Sequence, residues 1–174
     1  LRMQRKKWDP PRCKVTRKIP FIPTEQELDS LIAGCGKKTA TFLQLLKETG
    51  MRAGEANSLS WTDLDLQKRI LILNTPEKNG NPRVFNLSIK LVQMLSLLPK
   101  KNAKIFANVT RSSLESGFYM SRKRLSSKLQ NPRLKRISFH TFRHWKATTL
   151  YHETKDPLYV KEFLGHKKLD TTLL

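Results

Sequence analysis

The sequence predicts an α+β fold that is mainly helical, with a small antiparallel sheet or hairpin at one edge. Apolar residues recur at helical spacing through most of the chain, and the spacing changes to a continuous apolar run at Ile70–Leu73. Asn79-Gly80 is a strong hairpin signal, and Val84–Leu87 follows as the returning strand. With 174 residues, the chain is long enough for one well-packed domain.

Capping residues and glycines predict three short helices before the sheet. Thr24 and Glu27 form a capping-box signature, so the first helix begins after Thr24 and ends at the next glycines. Apolar spacing predicts a second helix over residues 37–49, and Gly50 suits the left-handed position that ends a helix. A third helix is expected over residues 52–59.

The remaining elements follow from the same patterns. A turn that contains Trp61, Asp63 and Asp65 is expected before the first strand. The segment Lys104–Phe106 is expected to extend the sheet. Helical spacing then returns, and Gly165 ends the last of the complete helices. The predicted helices cover residues 88–98, 112–130, 141–152 and 158–164, and a further helix starts at Thr171.

Positive charge dominates the composition. The chain has 34 Lys and Arg against 14 Asp and Glu, a formal net charge of +20. Such an excess predicts a polyanionic partner, and nucleic acid is favoured over a membrane because no long basic amphipathic helix stands apart from a core. A basic ribosome-associated protein would carry a similar charge. The balance therefore indicates a class of partner and not a function.

Two segments concentrate the basic residues. Residues 1–23 are rich in Lys, Arg and Pro, and we interpret them as a basic linker or arm along DNA phosphates, or else as a solvated tail. Between residues 122 and 136 there are seven basic residues and no acid, which predicts a DNA-backbone contact or else a solvated face. The seven are Arg122, Lys123, Arg124, Lys128, Arg133, Lys135 and Arg136.

Several other functions are disfavoured by what the sequence lacks. No apolar run approaches the roughly 20 residues needed to span a bilayer, and no signal peptide is visible. Cys13 and Cys35 have neither metal-ligand nor redox spacing, so we expect reduced thiols and a cytoplasmic location, with the DNA. The first residue is Leu, so we expect a piece of a longer protein.

The stretch from Ile137 to Leu150 carries the first chemical signal. His140 and Arg143 are three residues apart and share one face of a predicted helix. A histidine beside a guanidinium suits a phosphate whose charge changes during a reaction. His140 and His144 could imitate a zinc pair, but the glutamate of the HExxH pattern is absent, so we expect no metal and no other cofactor. His144 and Trp145 are expected to pack locally.

Four separated segments then appear in a recognisable order. They are TGMRAGE around Arg52, Lys78 in the hairpin, the HTFRH stretch, and LGH ending at His166. Together they resemble the catalytic domain of the tyrosine recombinases, the phage integrase family, from about Thr24 to Leu174. The archaeal virus (fusellovirus) integrases look like the nearest relatives. The resemblance makes residues 24–174 a catalytic domain that follows the basic arm.

The resemblance implies cleavage and rejoining of double-stranded DNA at attachment sites through a 3′-phosphotyrosyl intermediate, by a protein that works as a tetramer on DNA. Arg52 and Arg143 would clamp the non-bridging oxygens of the scissile phosphate, and His140 would donate to the phosphate or move the proton of the tyrosine. His166 would add a hydrogen bond. Glu55 would orient Arg52.

The resemblance also implies a lysine that protonates the departing 5′-oxygen. Lys78 fits this role of general acid because it stands directly before the hairpin turn. Lys68, Lys90 and Arg83 are alternatives for the same role.

The sequence departs from the family at the nucleophile. In the family a tyrosine follows the histidine of LGH, at a spacing that falls directly after Leu174 here. We interpret Tyr119, Tyr151 and Tyr159 as core or surface residues and expect the 174-residue polypeptide to bind DNA without cleaving it. A type IB topoisomerase and a non-catalytic DNA-binding fragment remain as alternatives.

Overall fold

A computed structural model describes residues 19–107 and 110–167 of the chain. Most of the predicted basic arm and the helix expected from Thr171 lie outside these ranges. None of the helices within them combines the length and the apolar character that crossing a membrane requires.

The first three helices begin and end at the predicted caps. Helix α1 covers Glu25–Ala33, α2 covers Lys37–Thr49 and α3 covers Ala53–Ser58. The Thr24–Glu27 capping box is formed, because Thr24 N donates to Glu27 Oε2 at 2.8 Å. Gly50 ends α2 with φ +61°, where a side chain would be strained.

A three-stranded antiparallel sheet follows, in the order β1-β2-β3. Strand β1 covers Leu64–Asp65, β2 covers Ile70–Leu73 and β3 covers Arg83–Asn86. Leu71 pairs with Phe85 and lies on the buried face of the sheet. The predicted pair of strands is confirmed, and the turn expected at Asp65 is instead an additional short strand that pairs with Ile70.

Two details of the predicted sheet are wrong. Asn79-Gly80 is not a two-residue hairpin turn, because Gly80 has φ −64° and such a turn needs positive φ at both residues. The connection between β2 and β3 is longer and contains a 3-10 turn at Glu77–Asn79. Lys104 does not extend the sheet either; it makes an isolated bridge with Ser60, while Ile105 is buried in the core.

Four longer segments complete the fold as helices. They are α4 over Ile89–Ser96, α5 over Arg111–Lys128, α6 over Phe139–Thr154 and α7 over Pro157–Leu164, with a 3-10 turn at Pro132–Arg136 before α6. All four were predicted, with boundaries that differ by at most two residues. Gly165 ends α7 in the left-handed conformation, at φ +67°.

Helix α2 lies at the centre of the hydrophobic core. It packs against α6, α1 and α4, and its Phe42 is fully buried. The Phe42 ring contacts Phe106 and Phe139 edge-on, at centroid distances of 5.0 and 5.3 Å. Burying such a ring contributes about 1.5–3 kcal/mol to stability. The packing of α6 on α2 brings the HTFRH stretch against the end of α2, where α3 begins.

Candidate active site

Three separated stretches of the chain meet in one cleft of about 150 Å³. They are the start of α3, the connection between β2 and β3, and the first turns of α6. Their lining side chains include three cations against a single carboxylate, so the cleft suits an anion. The lining residues are Met51, Arg52, Ala53, Gly54, Glu77, Lys78, Phe139, His140 and Arg143.

Arg52 is fixed at the start of α3 by the buried carboxylate of Glu55. Arg52 N donates to Glu55 Oε2 at 2.8 Å, and Arg52 Nη1 donates to Oε1 at 3.0 Å. Burial acts to raise the pKa of Glu55, but the backbone N–H of Arg52 and the charges of Arg83 and Arg52 outweigh it and lower that pKa. Glu55 is therefore an ionised anchor that orients the Arg52 guanidinium.

Lys78 reaches the cleft from the connection between β2 and β3. It is exposed and has φ +55°, an uncommon conformation for a residue with a side chain. Arg52 Nη1 donates to Glu77 O at 3.3 Å, which holds this connection near α3. Gly54 permits the close approach, because a Cβ there would lie 1.8 Å from Glu77 Oε1.

Arg143 lies at the floor of the cleft and is only 4% exposed. Its Nη1 donates to Gly50 O at 2.8 Å and its Nη2 to Leu164 O at 2.7 Å. Burial, followed by the charges of Arg52 and Arg83, lowers the pKa of Arg143 to about 9. Both acceptors are neutral carbonyls, so they orient the guanidinium without cancelling its charge.

The histidines around the cleft favour the neutral form. His140 lines the cleft, and partial burial of its ring, followed by the charges of nearby His144 and Arg143, lowers its pKa. His166 is 8% exposed, and burial, followed by the charges of Arg143 and other cations, lowers its pKa to about 4. A neutral imidazole can accept a proton as well as donate a hydrogen bond.

His166 is not among the side chains that line the cleft in the described part of the chain; it is buried directly after the Leu164–Gly165 turn. His144 contacts His140 edge-on, with ring centroids 4.5 Å apart. Trp145 lies in the hydrophobic core, as predicted.

Of the four candidates for the lysine role, Lys78 lines the cleft, whereas Lys68 and Lys90 are exposed elsewhere and Arg83 is buried beneath it. Arg83 is the important residue whose position the sequence reading missed, since it was considered only as a replacement for Lys78. The sequence did contain one indication of its burial: Arg83 is two residues before the apolar Phe85 on the same strand, so the two side chains lie on the same, buried face.

The seven basic residues of the predicted DNA surface lie on α5 and on the 3-10 turn before α6. Six of them are exposed, and Arg122 is partly buried. Arg122 donates to Ile137 O, and Arg124 Nη2 donates to Gly34 O at 2.8 Å. Arg133 Nε pairs with Glu27 Oε1 at 2.8 Å. Part of this surface is therefore also engaged in holding α5 and the turn against the helices behind them.

Comparison with known proteins identifies the fold. Residues 23–174 match the Phage integrase family. The chain is 31% identical over 176 residues to tyrosine recombinase XerD of Oceanobacillus iheyensis, covering 91% of this chain and 58% of that protein. It is 29% identical over 167 residues to tyrosine recombinase XerA of Saccharolobus solfataricus, covering 94% and 54%. The chain thus spans somewhat over half the length of these relatives.

A solved structure has the same architecture. The Tn1549 transposon integrase, in complex with transposon right end DNA, superposes with a TM-score of 0.76 at 18% identity. The match covers 90% of this chain and 61% of that one, so the predicted fold is confirmed. Because the family match covers nearly all of the chain and includes every residue that lines the cleft, this protein belongs to the phage integrase family, the tyrosine recombinases.

Proposed function

We propose that residues 24–174 form the catalytic domain of a site-specific DNA recombinase that integrates and excises viral or mobile-element DNA inside the cell. Residues 1–23 would serve as its basic arm. The observation that carries this proposal is the meeting of Arg52, Lys78, His140 and Arg143 in one cationic cleft. Double-stranded DNA is the proposed partner, and the DNA-bound Tn1549 integrase, which has the same fold, supports that choice.

The cleft geometry suits transfer of a phosphodiester to a tyrosine. The tyrosine oxygen would attack phosphorus, forming a 3′-phosphotyrosyl bond and releasing the 5′-oxygen of the next nucleotide. Arg52 and Arg143 would stabilise the charge on the non-bridging oxygens, and their carboxylate and carbonyl anchors keep both guanidiniums in place before DNA arrives. The energy of the bond is kept in the intermediate, so rejoining needs no nucleotide.

Proton transfer falls to Lys78 and His140. Lys78 is exposed at the cleft, so its ammonium can protonate the departing 5′-oxygen. His140, with its lowered pKa, is neutral at physiological pH and can accept the proton of the tyrosine or donate to the phosphate. His166 is buried and close enough to Arg143 for that charge to lower its pKa, and it would support the phosphate with a further hydrogen bond.

We propose three finer features of the complete protein. The nucleophile is a tyrosine outside Leu1–Leu174, because Tyr119, Tyr151 and Tyr159 are exposed and none of them lines the cleft. The active assembly is a tetramer, because exchange between two duplexes requires four strand cleavages. The closest kinship is with archaeal virus integrases, which the match to an archaeal XerA supports.

A suicide DNA substrate tests the function. We expect the full-length protein to form an SDS-resistant covalent adduct with a nicked attachment site, and the 174-residue polypeptide to bind the same DNA without forming one. Tyr119 lies in a depression beside His140, so full-length Tyr119→Phe is the control, and it should retain the adduct. An adduct formed by the 174-residue polypeptide would refute the placement of the nucleophile. Relaxation of supercoils without sequence-dependent strand exchange would favour a topoisomerase.

Salt dependence tests the DNA surface. Lys128 is exposed at the end of α5, and we expect Lys128→Gln to weaken DNA binding and to reduce the slope of log affinity against log salt by about one. Lys101→Gln removes the same charge from an exposed site outside this surface and should leave the slope unchanged. Equal slopes for the two variants would contradict the proposed surface.

A further inference from the structure

We propose that Arg83 is a positioning residue. By joining Glu55 to the carbonyl of Leu164, it keeps the guanidinium groups of Arg52 and Arg143 in a fixed position relative to each other. This inference rests on the function proposed above. Arg83 comes from β3 and is not among the side chains that line the cleft. It acts through other residues and would not touch DNA.

The side chain of Arg83 occupies a position in the sheet that normally holds an apolar residue. It is 6% exposed and lies on the same face of β3 as the buried Phe85, whereas Val84 between them is 64% exposed. The guanidinium carbon lies 5.7 Å from the centre of the Phe85 ring. An arginine here points under the cleft and away from solvent.

Arg83 contacts both of the anchors that orient the cleft arginines. Its Nη2 lies 2.8 Å from Glu55 Oε1, the oxygen that also accepts from Arg52 Nη1. Its Nη1 donates to Leu164 O at 2.7 Å, and the same carbonyl accepts from Arg143 Nη2 at 2.7 Å. A single guanidinium thus connects the support of Arg52 to the support of Arg143.

The contact continues to the turn that carries His166. A Cβ on Gly165 would lie 2.9 Å from Arg83 Nε, so the absence of a side chain lets the turn rest directly on Arg83. A Cβ on Gly80 would lie 3.3 Å from Gly165 O, which places the β2–β3 connection against the same turn. A shift of Arg83 would therefore move two parts of the site at once: His166, and the β2–β3 connection that carries Lys78.

Stability alone does not account for a charge at this position. Burying an ion pair costs desolvation energy, and replacing such pairs with apolar residues of similar size is often neutral or stabilising. Arg83 Nε and Nη2 are both buried and neither has a hydrogen-bond partner among the described residues, so the contact of Nη2 with Glu55 Oε1 is an ion pair. Arg83 and Arg143 also repel each other. What a guanidinium supplies, and an apolar side chain cannot, is a rigid fork that spans two acceptors.

Single-turnover cleavage by the full-length protein tests the inference. Arg83→Met keeps the volume and removes the fork, and we expect cleavage of a suicide substrate to slow by about 10²-fold, as for a small misplacement of reacting groups, at unchanged DNA affinity. Arg83→Lys keeps a cation for Glu55, but its ammonium cannot span both acceptors, so it should also be slow. Arg69→Met removes an exposed charge from the β1–β2 turn and serves as the matched control.

The outcomes separate this inference from the proposed function. If the wild-type protein cleaves and both Arg83 variants cleave at the rate of Arg69→Met, Arg83 is not a positioning residue. Parallel loss of folding, affinity and rate in both variants would also overturn the proposal, since it indicates a purely structural role. If the wild-type protein does not cleave, the proposed function fails. Amide hydrogen exchange at Gly165 and His166 then decides: faster exchange in folded Arg83→Lys supports positioning, and unchanged exchange refutes it.

Discussion

Arg143→Lys is expected to slow DNA strand cleavage by a factor of roughly 10² to 10³, the usual effect of removing one donor to a developing negative charge. Arg143 uses two nitrogens on Gly50 O and Leu164 O, and the rest of its fork remains for a phosphate oxygen. A lysine has one ammonium on a flexible stem, so it cannot satisfy both carbonyls and reach the phosphate in a fixed geometry. The measurement is the single-turnover rate of covalent adduct formation by the full-length protein.

DNA affinity should change far less than the rate. Binding depends on many phosphate contacts in a chain of net charge +20, and Arg143→Lys preserves the charge. Arg69→Lys makes the same chemical change at an exposed position and should cleave at the wild-type rate. A fall in affinity as large as the fall in rate would show that Arg143 serves ground-state binding, and an unchanged rate would remove it from the proposed mechanism.

Local signals in the sequence were sufficient for the helices and for the motifs of the cleft. Thr24 and Glu27 fix the start of α1 through contacts within four residues, and Gly50 and Gly165 end helices in the left-handed conformation that glycine favours. Short-range rules apply to such features because the interacting atoms are close in sequence. The resemblance to the family then supplied which separated motifs should meet.

The features that were missed depend on contacts between distant parts of the chain. The β2–β3 connection follows Glu77 as it packs on Gly54 of α3, and this contact overrides the two-residue turn that Asn79-Gly80 favours. The burial of Arg83 is decided by Leu164, which lies 81 residues away in sequence. No local pattern in the sequence predicts a partner at that distance along the chain. The alternation of β3 indicates only that an arginine faces inward, without showing what it meets there.

Acidification is expected to destabilise the domain through His166 between pH 6.5 and 4. Burial, followed by the charges of Arg143, Arg52 and Arg83, lowers the pKa of His166 from 6.5 to about 4. In this range the unfolded chain binds a proton that the folded chain excludes, so the free energy of unfolding falls as pH falls. The loss is small above pH 6.5 and reaches about 3.5 kcal/mol below pH 4, at about 1.4 kcal/mol per unit of pKa. His140 and His144, whose pKa values are also lowered, act in the same direction.

Denaturant unfolding of wild type and His166→Gln at several pH values between 5 and 7 isolates this effect. Carboxylates affect stability at lower pH. Burial acts to raise the pKa of Glu27, but Arg133 and the Thr24 N–H outweigh it and lower that pKa to about 2. The contribution of Glu27 to the free energy of unfolding is therefore lost only as the pH falls below 4.5, the usual pKa of a glutamate. His166→Gln should therefore flatten the decline between pH 7 and 5, whatever its stability at pH 7. His152→Gln removes an exposed imidazole from α6 and should keep the wild-type slope. Equal slopes for His166→Gln and wild type would mean that His166 binds a proton as readily in the folded state as in the unfolded state. That result would refute the proposal that a neutral His166 supports the phosphate.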